Sequence, residues 1–173
     1  MEDLFNQYAK SSTVEEANRF RTVKKGSYTI QPTKVDAKVT KKDENDPTKP
    51  QRPYAHITAS VLDPEGKKVA TLFFNASWIE GRTLKTGRLD GMCKLWGNIE
   101  KAYDVIGKSA GEVIQTMTKY PCKAYVDVVY RDPAGQNYYV KSNTGVSEED
   151  QEKQYLIAGY EPSNTVLNIS KVA

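Results

Sequence analysis

Apolar and polar residues alternate through residues 54–77, in two arms that flank the turn Asp63-Pro64-Glu65-Gly66. Proline fixes the backbone φ angle that such a turn needs, and glycine accepts a positive φ. A period of two is typical of strands with one buried face, so this stretch predicts a β-hairpin. The opposite face is polar but carries Tyr54, His56 and Phe73. The expected core face consists of Ala55, Ile57, Ala59, Val61, Ala70, Leu72, Phe74 and Ala76.

A long strand is predicted just before this hairpin, over residues 27–39. Its apolar positions change parity near Pro32, because Ile30 falls on one face and Val35 on the other. One extra residue at this point, a β-bulge, would bring both side chains onto the same face and bend the strand, and bulges tolerate proline. The polar, proline-containing residues 40–53 predict a loop.

Two helices are predicted in the middle of the chain. Between residues 91 and 107 the apolar side chains recur at spacings of three and four, and Gly107 is suited to the C-terminal cap. Ser109 and Glu112 have the spacing of a capping box, which indicates that a second, short helix starts there. Residues 78–90, which precede the first helix, are punctuated by glycine and predict a loop.

The C-terminal part of the chain predicts further strands. Residues 121–131 alternate, and residues 137–142 follow the turn Asp132-Pro133-Ala134-Gly135 as a returning strand. Residues 143–152 are polar and acidic and predict a connecting segment between the strand at 137–142 and the residues that follow. Residues 153–160 and 164–172 predict two extended segments, which either extend the sheet or form an arm to another protomer.

The predicted order of three strands, a helix and two strands, with a bend in the first strand, is that of the OB-fold. The expected fold class is mainly β with one or two helices, an OB-fold-like five-stranded Greek-key barrel with terminal extensions. A split α+β sheet shows a similar order and stays an alternative. The expected organisation is an N-terminal helical arm at residues 1–20, an OB-fold-like domain at 21–142 and a C-terminal extension at 143–173.

Length and composition restrict the class of protein. The chain of 173 residues is long enough for one domain with a core, and no apolar run reaches the ~20 residues of a membrane span. The first residues lack the pattern of a secretion signal, so a cytoplasmic protein is expected. Cys93 and Cys122 are far apart and are expected to be reduced, in or near the core. The net charge of +3 conceals a basic segment at residues 19–42 between acidic ends, which suits a polyanionic ligand.

The sequence lacks the residue patterns of common catalytic sites. The run Gly107-Lys108-Ser109 has Ala102 where a phosphate-binding loop requires glycine. His56 is the only histidine, which argues against both a Ser/His/Asp set and a zinc site. The carboxylates show no metal-binding spacing. We therefore expect a protein that is not an enzyme and uses no cofactor or metal.

Several segments resemble those of phage single-stranded-DNA-binding proteins of the OB-fold type. They are the run GSYTI at residues 26–30, the strand at 54–62, the Arg- and Gly-containing connection, the central helix and the strand at 122–131. The resemblance covers residues 25–142 by order of elements. It implies a viral protein in the host cytoplasm that acts in DNA replication or recombination, with proteins of those processes as partners. Many such proteins recruit replication enzymes through an acidic tail, which is not expected here because residues 168–173 are not acidic.

Basic residues interleaved with aromatic ones are what a binder of single strands needs, since cations contact phosphates and aromatic rings stack on bases. The residues expected to stack are Tyr54, Phe73, Trp78, Tyr125 and Tyr139. The residues expected to contact phosphates are Lys24, Lys25, Arg82, Lys85, Arg88, Lys123, Arg131 and Lys141. A structural role is the alternative for each aromatic residue, because Tyr and Phe favour strands. The alternative function is a protein-interaction module, an OB-like barrel with no nucleic-acid ligand.

Overall fold

The computed structural model describes residues 22–42, 44–48, 50–79, 90–142 and 144–172. The predicted helical arm at residues 1–20 lies outside them. The predicted mainly β class is confirmed. In chain order the elements are β1 (Gly26–Val39), β2 (Pro53–Leu62), β3 (Lys68–Ala76), α1 (Gly91–Tyr103), α2 (Ala110–Lys119), β4 (Cys122–Arg131), β5 (Asn137–Tyr139), α3 (Glu148–Ile157) and β6 (Glu161–Ser170).

The strands form one antiparallel sheet. Hydrogen-bonded neighbours run β3–β2–β1–β4, and β6 pairs along nearly all of β4. Since β6 occupies one edge of β4, the other edge is shared by β1, at Cys122–Val126, and by the short β5, at Val129–Arg131. Strand β3 is the edge beyond β2 and β6 is the edge beyond β4, and these two strands run in the same direction. Within the described residues no ladder joins them, so the sheet is not closed into the predicted five-stranded barrel.

The β2–β3 hairpin has the predicted faces. Ile57 and Leu72 are at most 2% exposed, and they share one core with Val126 of β4. The turn between the strands is closed by the Gly66 N–H, which donates to the carbonyl oxygen of Asp63 at 2.9 Å. Gly66 has a φ of 84°, which explains why the turn needs glycine at this position.

The predicted bulge in β1 is confirmed at Thr33. Pro32 lies opposite Ala59 and Lys34 lies opposite Thr58, so Thr33 is the extra residue that has no opposite residue in the β1–β2 register. Beyond the extra residue, odd-numbered and even-numbered positions exchange faces of the sheet. The even-numbered residues that follow Thr33 therefore lie on the outer face of the sheet.

Both central helices are present, and one boundary differs from the prediction. Helix α1 is capped by Asp90, whose side chain accepts a backbone N–H of the first turn at 2.9 Å. It ends at Asp104, which adopts a left-handed conformation with a φ of 54°. The predicted end at Gly107 is therefore wrong, because the left-handed turn already comes at Asp104. The predicted start of α2 is confirmed, since the Glu112 N–H donates to Oγ of Ser109 at 3.3 Å.

The prediction of an extended segment at residues 153–160 is wrong, because α3 runs as far as Ile157. Its N-cap is Ser147, whose Oγ accepts the Asp150 N–H at 3.2 Å. Helix α3 has no buried residue, so it lacks the apolar stripe that indicates a helix in a sequence. It is held instead by a ring contact, in which Tyr155 stacks on Tyr130 with centroids 5.0 Å apart.

The last predicted extended segment, residues 164–172, corresponds to β6. The side chain of Ile169 in β6 is 3% exposed and belongs to the core. Of the two alternatives for this segment, the structure has the one in which it extends the sheet.

Candidate functional site

An exposed aromatic ring lies on the polar outer face of β3. The ring of Phe73 is 52% exposed and stacks on His56 of β2, with centroids 6.0 Å apart and planes inclined by 10°. His56 is held in turn by Asn75, whose Oδ1 accepts a hydrogen bond from Nδ1–H at 2.7 Å. Phe73 points outward because its neighbours Leu72 and Phe74 occupy the core. The pair presents a flat aromatic surface with a fixed orientation, suited to stacking on another planar ring.

Two lysines of β1 lie on the same face of the sheet as this ring. Lys34 is opposite Thr58, which is itself opposite Phe73, and Lys38 is opposite Tyr54. Directly paired residues share a face of the sheet and strands lie about 4.8 Å apart, so Lys34 is about 10 Å across the sheet from Phe73. We call the following set the aromatic–lysine face: Lys34, Lys38, Tyr54, His56, Phe73 and Asn75.

The two lysines of this face were missing from the residues predicted to contact phosphates. The signal that could have found them was the change of parity in β1. Once the bulge is placed at Thr33, Lys34 and Lys38 must point to the same side as Tyr54. Both lysines are exposed.

Tyr125 and Lys123, two other predicted residues, share the outer face of β4. Tyr125 is 37% exposed and lies opposite Ser27 of β1, and Lys123 lies opposite Thr29. Along β1, Ser27 is about 20 Å from Lys34. Tyr125 and Lys123 therefore form a second patch, separate from the aromatic–lysine face.

Trp78 lies at the margin of the core. Its ring meets that of Trp96 edge-on, with centroids 5.7 Å apart and planes inclined by 60°, and it packs against the core cluster. The covered part of the ring has a packing role, and only the remaining part faces solvent. Arg82, Lys85 and Arg88, predicted to contact phosphates beside Trp78, lie outside the described residues.

Lys24 and Lys25 are exposed just before β1, on the side of the sheet where α3 lies. They line a cavity of about 320 Å³ together with carboxylates. Three of these carboxylates come from α3 and one from β4, namely Glu148, Glu149, Glu152 and Asp127. This pair of lysines is therefore set in a negatively charged environment.

The remaining predicted residues lie where β4, β5 and α3 meet. Arg131 is exposed and lies opposite Glu161 of β6. Tyr139 is 41% exposed. Lys141 is exposed, and its backbone exchanges hydrogen bonds of 2.9 and 2.7 Å with the side chain of Gln151. The predicted residues thus fall into several patches, of which the first carries the most exposed of the predicted aromatic rings for which an exposed fraction is given above, that of Phe73.

Two ionisable groups, one in the core and one packed against it, have packing roles. Burial raises the pKa of the Cys122 thiol to about 11, so this thiol is protonated and unreactive at neutral pH. Burial also raises the pKa of Tyr103, whose hydroxyl donates to the carbonyl oxygen of Tyr120 at 2.9 Å. Across the described ranges, no three His, Cys, Asp or Glu side chains are grouped so that they could hold a metal ion.

In the part of the chain that the structure describes, no helix is long and apolar enough to cross a membrane. Comparison of the chain with protein-family models, with curated proteins and with solved structures gave no match. Function is therefore inferred from the residues of this chain alone.

Proposed function

We propose that this protein binds single-stranded DNA without catalysis and that the aromatic–lysine face is the binding surface. The observation that carries the proposal is the ring of Phe73, more than half exposed and stacked on His56 on the polar outer face of the β2–β3 hairpin. The adjacent Phe74 is 7% exposed and supplies the aromatic ring that this strand contributes to the core. The ring of Phe73 is therefore not needed for core packing. Stacking of a base on such a ring contributes roughly 1–3 kcal/mol and tolerates any sequence.

The charges of this face suit a polyanion. Lys34 and Lys38 flank the aromatic surface on β1, and Lys41 and Lys42 follow in the adjoining loop, all of them exposed. Lysines beside a stacking platform place positive charge where the phosphates of a stacked strand would run. In keeping with the resemblance to phage proteins, the protein would protect or organise single strands during viral DNA replication or recombination, together with proteins of those processes.

We also propose that the sheet is an OB-fold-like barrel left open at one seam. The bulged strand β1 pairs with both β2 and β4, and helices lie between β3 and β4 in the chain. The edges β3 and β6 approach each other in the same direction, with cavities between them lined by Phe73 and Asn164. OB-folds bind oligonucleotides on the face of their second and third strands, where Tyr54 and Phe73 lie.

Fluorescence anisotropy with a labelled oligo-dT strand tests the proposed function. We expect binding at low salt, with log K falling linearly with log salt at a slope of about −0.7 for each phosphate contacted. A duplex of equal length serves as the control for strand state. It should bind more weakly than the single-stranded oligo-dT. No detectable binding of oligo-dT at 20–50 mM salt (roughly the low end of such titrations) would overturn the proposal.

A protein-interaction module is the second candidate, and it is favoured by one observation. At the end of α3, Leu156 is 48% exposed and Ile157 is 87% exposed, so this helix presents adjacent apolar side chains to solvent. Exposed apolar patches often mark protein contacts. The candidate predicts that the double variant Leu156→Ser/Ile157→Ser loses association with a protein partner, while oligo-dT binds neither form.

A further inference from the structure

Two pairs of lysines lie at different places along β1, and their surroundings differ. Lys24 and Lys25 directly precede the strand, whereas Lys34 and Lys38 lie beyond the bulge on the outer face. All four are exposed. They carry the same charge, so a difference between the pairs in binding a strand comes from their positions on the sheet and from their neighbours.

Lys24 and Lys25 face an excess of negative charge. Their cavity is lined by four carboxylates, those of Asp127, Glu148, Glu149 and Glu152, against the two lysines. None of the described carboxylates lies within 4 Å of either lysine, as it would in an ion pair. The carboxylates therefore leave the ammonium groups free but, because they line the same cavity, oppose a phosphate at this end of β1.

The carboxylates of α3 keep this position because the helix is anchored. Tyr155 of α3 stacks on Tyr130, Tyr138 and Tyr160, with centroids 5.0, 6.0 and 5.5 Å apart. Gln151 adds two hydrogen bonds to the backbone of Lys141. The negative charge is thus a fixed part of the surface.

Lys34 and Lys38 have a different environment. One carboxylate lies between them on the same face, that of Asp36, 3.6 Å from Nζ of Lys34. Both partners of this ion pair are well exposed, so the pair is weak and a phosphate can replace the carboxylate. Lys34 also lies in one cross-strand row with Phe73, so a base stacked on the ring brings its phosphates towards β1.

We propose that Lys34 and Lys38 hold the phosphates of a strand bound on the aromatic–lysine face, and that Lys24 and Lys25 make no phosphate contact because the carboxylates of α3 exclude the strand. This inference rests on the proposed function and specifies the path of the ligand. The strand runs over β1, β2 and β3 beyond the bulge and stops short of α3.

Two double variants with the same change in charge test the proposal, Lys34→Ala/Lys38→Ala and Lys24→Ala/Lys25→Ala. Oligo-dT binding is measured by anisotropy over a range of salt, and thermal unfolding confirms that each variant is folded. We expect the first variant to flatten the salt slope by about 1.4, that is 0.7 for each lost contact, and the second to leave it unchanged. Equal slopes for the two variants, or a larger effect of Lys24→Ala/Lys25→Ala, overturn the proposal.

A third set of variants checks the stated cause. In the background Glu148→Gln/Glu149→Gln/Glu152→Gln, we expect Lys24→Ala/Lys25→Ala to flatten the slope, because the strand can now reach these lysines. A control background with the same number of carboxylates removed elsewhere, Glu100→Gln/Asp104→Asn/Glu112→Gln, should leave Lys24→Ala/Lys25→Ala without effect. The same response in both backgrounds contradicts the role of α3. Failure of the wild-type protein to bind oligo-dT overturns the proposed function and this inference with it, whereas wild-type binding with equal slopes overturns the inference alone.

Discussion

Arg52 and Asp90 form a two-point ion pair, in which Nη1 and Nη2 of the arginine lie 2.8 and 2.9 Å from the two carboxylate oxygens. The side chains are 9% and 19% exposed. The Arg52 backbone also bonds to Thr40, at the end of β1, through its N–H and its carbonyl oxygen. Because Asp90 caps α1, this single pair ties together β1, β2 and the start of the helix.

Replacement of Arg52 by Ala should lower the free energy of unfolding by about 3–5 kcal/mol, because it leaves the carboxylate of Asp90 without its cation in a mostly buried position. The measurement is urea denaturation at pH 7. The matched control is Lys34→Ala, which breaks the exposed pair with Asp36 and should cost less than about 1 kcal/mol. Equal losses for the two variants would show that the Arg52–Asp90 pair does not stabilise the fold.

The same pair predicts a dependence of stability on pH. The hydrogen bond from Arg52 lowers the pKa of Asp90 in the folded state, while the unfolded chain has a value of about 3.9. Below that pH the unfolded state takes up a proton that the folded state does not bind, so the stabilisation is complete above about pH 4 and is lost as the pH falls through the folded pKa.

The variant Asp90→Asn should reduce this dependence, since asparagine still caps the helix but does not titrate. Urea midpoints at pH 6, 4 and 3 are compared for the two proteins. The pKa of Asp132 is also lowered, by the N–H of Gln136. This contribution to the pH dependence is present in the wild type and in Asp90→Asn, so it cancels when the two proteins are compared. A parallel fall in both midpoints would exclude Asp90 as its source.

Phe73 and Phe74 are adjacent phenylalanines on opposite faces of one strand, which makes them a matched pair. Phe73→Ala should fold nearly as well as the wild type and bind oligo-dT tens-fold more weakly, because a stacking ring contributes roughly 1–3 kcal/mol per base. Phe74→Ala removes a core ring and should cost about 3–5 kcal/mol of stability. Thermal unfolding and anisotropy are measured on both. Early melting of Phe73→Ala with normal binding by the folded fraction would assign Phe73 a structural role.

Tyr155 is the aromatic anchor of α3, so its removal should loosen this helix more than the sheet. We expect Tyr155→Ala to cost about 2 kcal/mol through lost stacking, and Tyr155→Leu to recover only part of it, because leucine lacks the flat ring. Amide hydrogen exchange is the suitable measurement, since it separates α3 from β2 and β3. Uniform loss of protection in all three elements would mean that α3 unfolds only together with the sheet.

The strands could be predicted because their faces are decided by local alternation. Ile57 and Phe73 fall on opposite faces of the hairpin, and a period of two assigns both correctly without knowledge of the neighbours. The bulge followed from the same rule, since only an extra residue places Ile30 and Val35 on one side. The aromatic part of the candidate site was therefore visible in the sequence.

The parts that were missed depend on tertiary contacts. Helix α3 buries no side chain and is held by Tyr155 against rings that are distant in the sequence, so periodicity does not reveal it. Its local signals lie at the ends: Ser147 with Asp150 has capping spacing, and Gly159, with a φ of 82°, follows the helix. The carboxylates around Lys24 could not be predicted either, because Glu148 and Glu152 come to line the same cavity only through the fold.

The position of β4 in the sheet has a consequence for how the chain acquires its structure during synthesis. The pairing of Gly26 with Val126 joins residues on the order of 100 positions apart, and the other edge of β4 is covered by β6, with Ile169 in the core. A chain that leaves the ribosome N-terminus first therefore lacks the part of the core that β4 and β6 supply to the hairpin face of Ile57 and Leu72 until those strands have emerged. Such long-range pairing slows folding, and the uncovered strands are open to chaperones or to aggregation during that interval.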